Sequence, residues 1–340
     1  MIVVRAPGGL SARLHPRTVG VGVGCVLLAL ALGVLAIGHG DHPMGPADVL
    51  RTLTGGGTPA EEFIVIELRL PRLATALGVG TALGLAGAVF QSLVRNPLGS
   101  PDVLGFTQGA STGALLVVVA GGGSAALAAA ATTGGLATGL LIHLVAWRRG
   151  VHGHRLVLVG IGVAAILTGV NGYLLTRAQL MDAARAVLWL TGSLDGRGWS
   201  DALPVLAALA GAVPLLLACG PALRTTELGD DAASALGVPV HRLRTTLLAA
   251  AVVLVSLAAA AAGPVSFVAL TAPHLARRLT RAPGPNLLPS AAVGAVLLVA
   301  ADQLAQRAFP AALPVGVVTG VLGGGYLLWL LTAQRRAGRL

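Results

Sequence analysis

Apolar runs separated by short clusters of Arg, Asp, Pro and Gly recur along the whole chain. Each run is close to the roughly twenty residues that a helix needs to cross about 30 Å of hydrocarbon. The pattern predicts helices over residues 19–38, 71–92, 103–121, 124–147, 156–175, 201–219, 244–263, 266–280, 287–304 and 314–333, the eighth shorter than a full span. The expected fold is an all-α integral membrane protein of ten transmembrane helices. It is built as one domain over 1–340, with its longest loop near 220–244.

Composition excludes an ordinary soluble enzyme. The chain is 55% hydrophobic and 11% charged, with a mean hydropathy of +0.84, whereas soluble domains carry about 25% charged residues. The first apolar run follows Arg5, Arg13 and Arg17, a layout shared with cleaved leaders. Its length and the spans behind it favour a retained helix. Cys25 and Cys219 each lie inside an apolar run with no CxxC partner, and read as small hydrophobes.

The net charge of +10 raises the question of nucleic acid, but aromatic residues make up only 3% and no basic block is interleaved with them. A nucleic-acid partner is not expected. Charge informs topology instead. All 23 basic residues are Arg. With both termini cytoplasmic, 16 of them fall on the inner side, among them Arg17, Arg95, Arg148, Arg149, Arg155, Arg224, Arg242, Arg244, Arg277, Arg278 and Arg281. Seven fall outside: Arg51, Arg69, Arg72, Arg177, Arg185, Arg197 and Arg307, alongside Asp41, Asp48, Glu61, Glu62, Asp182 and Asp195. Retention of positive charge by cytoplasmic loops then predicts an even helix number with N and C termini inside.

Four glycine pairs spaced four apart, Gly20 with Gly24, Gly80 with Gly84, Gly135 with Gly139 and Gly316 with Gly320, predict close helix packing. The spans carry essentially no acid or Arg between their ends, and His143 and His274 lie close to span ends. A proton- or sodium-coupled carrier places ionisable groups near the midplane. Neither an intramembrane nucleophile–base pair nor an HExxH-type metal site is present. With no Lys in the chain there is no Walker A loop to hold ATP, so this chain is not expected to be the ATPase or to bind a cofactor. His274 reads as structural, and the loop pair His152 and His154 is too small a set for a metal.

Two stretches carry a family resemblance. The first is LRLPR at 68–72 followed by QSLVRNPLGSPDVLG at 91–105; the second runs from AGPVSFVALTAPHLAR at 262–277 through Ala301 and Asp302 to LPVGVVT at 313–319. Together they resemble the iron-siderophore and vitamin B12 permease family of ABC importers, over nearly the whole chain. Residues 90–106 and 227–238 most resemble the permease subunits for ferric enterobactin. The resemblance implies a permease in the bacterial inner membrane. It implies pairing with a like or identical permease subunit, with two ATPase subunits below, an extracytoplasmic binding protein above, and a ferric siderophore as cargo. Cobalamin or haem would use the same architecture.

Within the loop, DAASALG at 231–237 is similar to the coupling motif of ABC permeases, with Asp231 in place of Glu. Glu227, Asp230, Asp231, Ala232, Ala233, Gly237 and Val238 are the expected coupling residues, in a compact knob broken at Gly237 and Pro239. Arg69 and Arg72 match family arginines that receive acidic residues of the binding protein. At a third such position this sequence has Gln306, with Arg307 next to it. The second and fifth helices and the segment 174–186 are candidate linings of a path.

Overall fold

The computed structural model describes residues 2–5, 11–40, 42–147, 153–308 and 312–336. Asp41, Arg148, Arg149 and His152 fall outside them. A small antiparallel hairpin, β1 (Ile2–Arg5) with β2 (Ser11–Leu14), precedes the helices and left no mark in the hydropathy pattern.

Thirteen helices follow among the described residues. They are α1 (Pro16–Gly38), α2 (Pro46–Leu53), α3 (Pro59–Val94), α4 (Phe106–Val119), α5 (Ser124–Ala146), α6 (Gly153–Arg177) and α7 (Leu180–Leu190). Then come α8 (Trp199–Thr225), α9 (Asp230–Ala235), α10 (Val240–Ala262), α11 (Val268–Thr280), α12 (Leu287–Arg307) and α13 (Val315–Arg336). Each of the ten predicted segments coincides with one of these. Seven of them, α1, α3, α5, α6, α8, α10 and α12, are long and apolar enough to cross a membrane; α4 and α13 are shorter apolar helices. Short α2, α7 and α9 are additions, set by local signals such as the proline that opens α2 rather than by long apolar runs.

Helix α3 is the centre of the bundle. It starts with a reciprocal cap, in which Thr58 Oγ1 accepts from the Glu61 N–H (3.3 Å) and the Glu61 carboxylate accepts from the Thr58 N–H (2.8 Å). It passes through wide π-turns over Phe63–Arg69 and then runs buried almost to its end. Its main partner is α12. Gly80 and Gly84 lie directly on the backbone of Ser290 and Gly294, so closely that a Cβ at either position would overlap a carbonyl of α12. Gly135 and Gly139 of α5 leave room instead for the side chains of Ser256 and Val252 of α10, which a Cβ at either position would overlap. Of the pair Gly316 and Gly320 only Gly316 is enclosed, while Gly20 and Gly24 of α1 face open space. Helix α3 is therefore enclosed within the chain, whereas α6 presents most of its apolar surface outward.

Two breaks in the helical pattern meet inside the bundle. The chain leaves α3 at Arg95 in the left-handed conformation and runs through 96–105 before α4 begins. Leu104 and Gly105 lie against Gly160 and Ala164 of α6. Ala164 is eleven residues along that helix (164 − 153), or about 16 Å from its start. The second break, 263–267, precedes α11, and its Phe267 N–H faces the Asp102 carboxylate. Irregular backbone at this depth is tolerated where protein encloses it. Asp102 thus sits well inside the bundle, where the hydropathy pattern had placed it at the edge of a loop.

Candidate functional site

The arginine-rich end of the bundle holds the loop between α8 and α10. A single 3-10 turn, Thr226–Leu228, leads into α9, and glycines set the bends on either side. Gly229 has φ +112° and Gly237 φ +81°, conformations that a residue with a Cβ resists. Val238 N–H donates to the Ala233 carbonyl and Pro239 stands at the start of α10. The result is one short helix, folded back tightly on Ala233, which is buried. Its outer surface is Glu227, Leu228, Asp231, Ala232 and Leu236, with Leu228 71% and Leu236 67% exposed.

Asp230 faces the other way, into the protein. Arg244 of α10, itself only 8% exposed, grips both its carboxylate oxygens, with Nη1 and Nη2 each 2.9 Å away. Arg95, at the end of α3, pairs with the same carboxylate. Behind this triad Arg277 of α11 donates to Gln91 Oε1, and Gln91 Nε2 donates to the Leu270 carbonyl at 3.0 Å. Glu227 lies within electrostatic reach of Arg277. The knob is thus clasped to the end of α3 and the start of α10 by charge-assisted hydrogen bonds, the stronger kind.

At the opposite end, Arg69 and Arg72 border one cavity of about 550 Å³ with Asp195, Asp302 and Gln306. Arg69 donates to the carbonyls of Ile37 (2.6 Å) and His42 (2.7 Å), closing the end of α1 onto α3. Arg72 forms a forked pair with Asp302 of α12, Nη2 to Oδ1 at 2.9 Å and Nε to Oδ2 at 3.1 Å. Its remaining Nη1 lies 3.2 Å from Asp195. Asp302 is 6% exposed and Asp195 87%, so Arg72 has one fixed, buried partner and one at the surface.

This arrangement can be set beside known proteins. Residues 27–333 match the model of the FecCD transport family. The chain is 45% identical over 320 residues to the ferric enterobactin transport system permease protein FepG of Escherichia coli, covering 92% of this chain and 96% of that one. It is 36% identical over 342 residues to the achromobactin transport system permease protein CbrC of Dickeya dadantii, covering 98% and 97%. The chain belongs to the FecCD transport family. Its fold agrees with a solved structure described as an inward-facing conformation of a putative metal-chelate type ABC transporter, with TM-score 0.81, 26% identity and coverage of 93% of this chain and 99% of that one.

The other expected residues of this FecCD-family membrane protein fall in two groups. Gln306 Nε2 donates to Asp302 Oδ2 at 2.7 Å and so joins the Arg72 pair, whereas Arg307 turns away to the Leu35 carbonyl of α1 at 2.7 Å. His274 stacks edge-on against Tyr326, and among the described residues no group of three or more His, Cys, Asp or Glu is placed to hold a metal. Arg95, Arg244, Asp195 and Asp302 were not singled out from the sequence. Arg95 and Asp302 lie inside the quoted motifs, but only the fold reveals which acid or base each one meets.

Proposed function

We propose that this chain is the permease subunit of an ABC importer for a ferric siderophore of the catecholate class. Ten helices cross the inner membrane, with the arginine-rich end and both termini in the cytoplasm. A second permease subunit completes the path, two ATPase subunits dock below and a binding protein above. The observation that carries this reading is the knob around α9, a compact projection with two exposed leucines among acidic residues, in a chain of the FecCD family. The likeness to FepG supports the catecholate class.

In this reading an acidic residue of the loaded binding protein reaches Arg72, and another reaches Arg69, across the cavity that both border. Rim charges of this kind set encounter rate and register. ATP closes the motor pair below, and Glu227, Asp231, Ala232, Ala233, Gly237 and Val238 pass that movement to the helices through the way they shape and hold the knob. Leu236→Asp is expected to strip the ATPase from the purified complex while leaving the permease folded, because the side chain is exposed. Co-purification at unchanged permease yield checks this.

A proton-coupled carrier is the rival class, and Asp102 deep in the bundle is the kind of group such a carrier uses. The two are separated in proteoliposomes holding the permease and its partners. Uptake of labelled ferric chelate is expected to require ATP and to persist with a proton ionophore. Uptake that ignores ATP and collapses with the ionophore assigns the carrier.

A further inference from the structure

A cavity of about 510 Å³ opens beside the break at 96–105, walled on that side by Asn96, Leu98 and Asp102 and on the other by Phe267, His274 and Leu327. The segment 96–105 is held mainly by bonds to itself. Gly99 N–H donates to the Asn96 carbonyl, Leu98 N–H to Asn96 Oδ1, and Leu104 N–H to the Pro101 carbonyl. Asp102 Oδ1 is buried without a hydrogen-bond partner. Its first part, Asn96 to Leu98, is exposed and bonded only over short range, so it shifts at lower cost than the helices around it, while Leu104 and Gly105 stay seated on α6.

One end of this segment is Arg95, and Arg95 is clasped by Asp230 of α9. The carboxylate therefore joins a fixed member to a movable one. Arg244, forked and buried on α10, holds it in place. Arg95 stands in the left-handed conformation at φ +52°, where α3 ends and 96–105 begins. That conformation costs an L-residue about 1 kcal/mol; the N–H groups of Arg95 and Asn96 close the bend onto the Ser92 and Gln91 carbonyls, and the contact with Asp230 ties the side chain at the bend to α9.

We propose that Arg95 is a positioning residue that carries movement of α9 into the 96–105 wall of this cavity, so that motor closure reshapes the inner half of the path. This rests on the reading of α9 as the ATPase seat. When the ATPase shifts α9, the Asp230 carboxylate pivots on the Arg244 fork and draws the Arg95 guanidinium, and the chain directly behind it moves Asn96 and Leu98 relative to Phe267. Arg95 contacts no cargo in this scheme. Its loss disconnects hydrolysis from transport instead of stopping either component.

The test uses the whole transporter in proteoliposomes, with ATP hydrolysis and uptake of a labelled ferric catecholate measured on one preparation. Arg95→Ala is expected to keep the ATPase bound and hydrolysis within about twofold, while uptake per ATP falls about tenfold or more. Arg95→Lys, which restores a cation without the fork, is expected to recover about half of that ratio. Should Arg95→Ala not accumulate, Arg95→Gln carries the same expectation as a neutral side chain of similar reach. Uptake per ATP within about twofold of the unaltered chain overturns the proposal. So does loss of the ATPase from the complex, because that makes Arg95 part of the docking face. Leu236→Asp in parallel isolates the underlying reading: an ATPase still bound to that variant removes α9 as its seat, whatever Arg95→Ala does.

Discussion

Gly84→Val is expected to remove the folded protein from the membrane almost entirely. The reason lies in the most extensive helix pair of the bundle, where Gly84 meets the Ser290 carbonyl and Gly80 and Gly294 oppose each other backbone to backbone. In lipid there is no hydrophobic drive between helices, so their association depends on such close contact. Added atoms at Gly84 meet a backbone carbonyl, which cannot rotate aside as a side chain does. Overpacking commonly costs about 1–3 kcal/mol and more where backbone must move, a large share of a total stability of about 5–15 kcal/mol. Gly24→Leu serves as the contrast, because nothing lies within 4 Å of a Cβ built there. Size-exclusion profiles and thermal midpoints in detergent read both. A Gly84→Val protein with wild-type yield and midpoint would show that α3 and α12 do not pack as described.

Asp302→Ala carries the second largest expected effect. It removes the buried half of the Arg72 fork and also the acceptor of Gln306. Breaking a buried pair from one side costs about 3–5 kcal/mol. Arg72 keeps 24% exposure and the surface partner Asp195, so a loss of about 2 kcal/mol is expected here. Replacing both members, Arg72→Leu with Asp302→Leu, is expected to restore most of the midpoint, since apolar pairs often substitute for buried ion pairs without loss. The double variant then isolates docking. If Arg72 receives the binding protein, uptake stays slow in a protein whose stability has recovered. Recovery of uptake together with stability would leave Arg72 a purely structural residue. A simple charge reversal at Arg72 cannot make this distinction, because it would place a third carboxylate beside Asp302 and Asp195.

The membrane helices were legible because hydrocarbon imposes one dominant requirement, a long apolar run, and seven of the ten predicted segments fall on helices that meet it. The glycine spacing marked close packing, but only the fold distinguishes Gly80 and Gly84, seated on α12, from Gly20 and Gly24, which face outward. The breaks at 96–105 and 263–267 were not legible as segments that pack against one another between helices. Their Pro, Gly and polar content reads as surface loop, and hydropathy along the chain carries no information about which loop folds back between helices. The same limit hid the charge partners. Arg72 was visible as a candidate from the resemblance, yet its fork with Asp302 joins residues 230 positions apart. The knob was readable in outline from Gly237 and Pro239, whereas the inward turn of Asp230 toward Arg95 and Arg244 follows from helix packing that no local pattern encodes.

These two ends describe one division of labour. In the proposed reading the binding protein meets the ends of α1, α3 and α12 and the motor meets the knob beside α3 and α10, with the enclosed helix α3 running between them. Arg72 and Arg95 stand near the two ends of its span. A rigid, glycine-packed α3 would keep both ends in register while the irregular segment beyond Arg95 yields.

The most direct measurement is uptake of radiolabelled iron supplied as a ferric catecholate, with labelled cobalamin in parallel, in cells lacking this protein and in cells with it restored. Loss of iron uptake alone, recovered on restoration, is the expected result. Unchanged iron uptake in cells lacking the protein, or loss of cobalamin uptake alone, would contradict assignment of the chain to ferric-siderophore import.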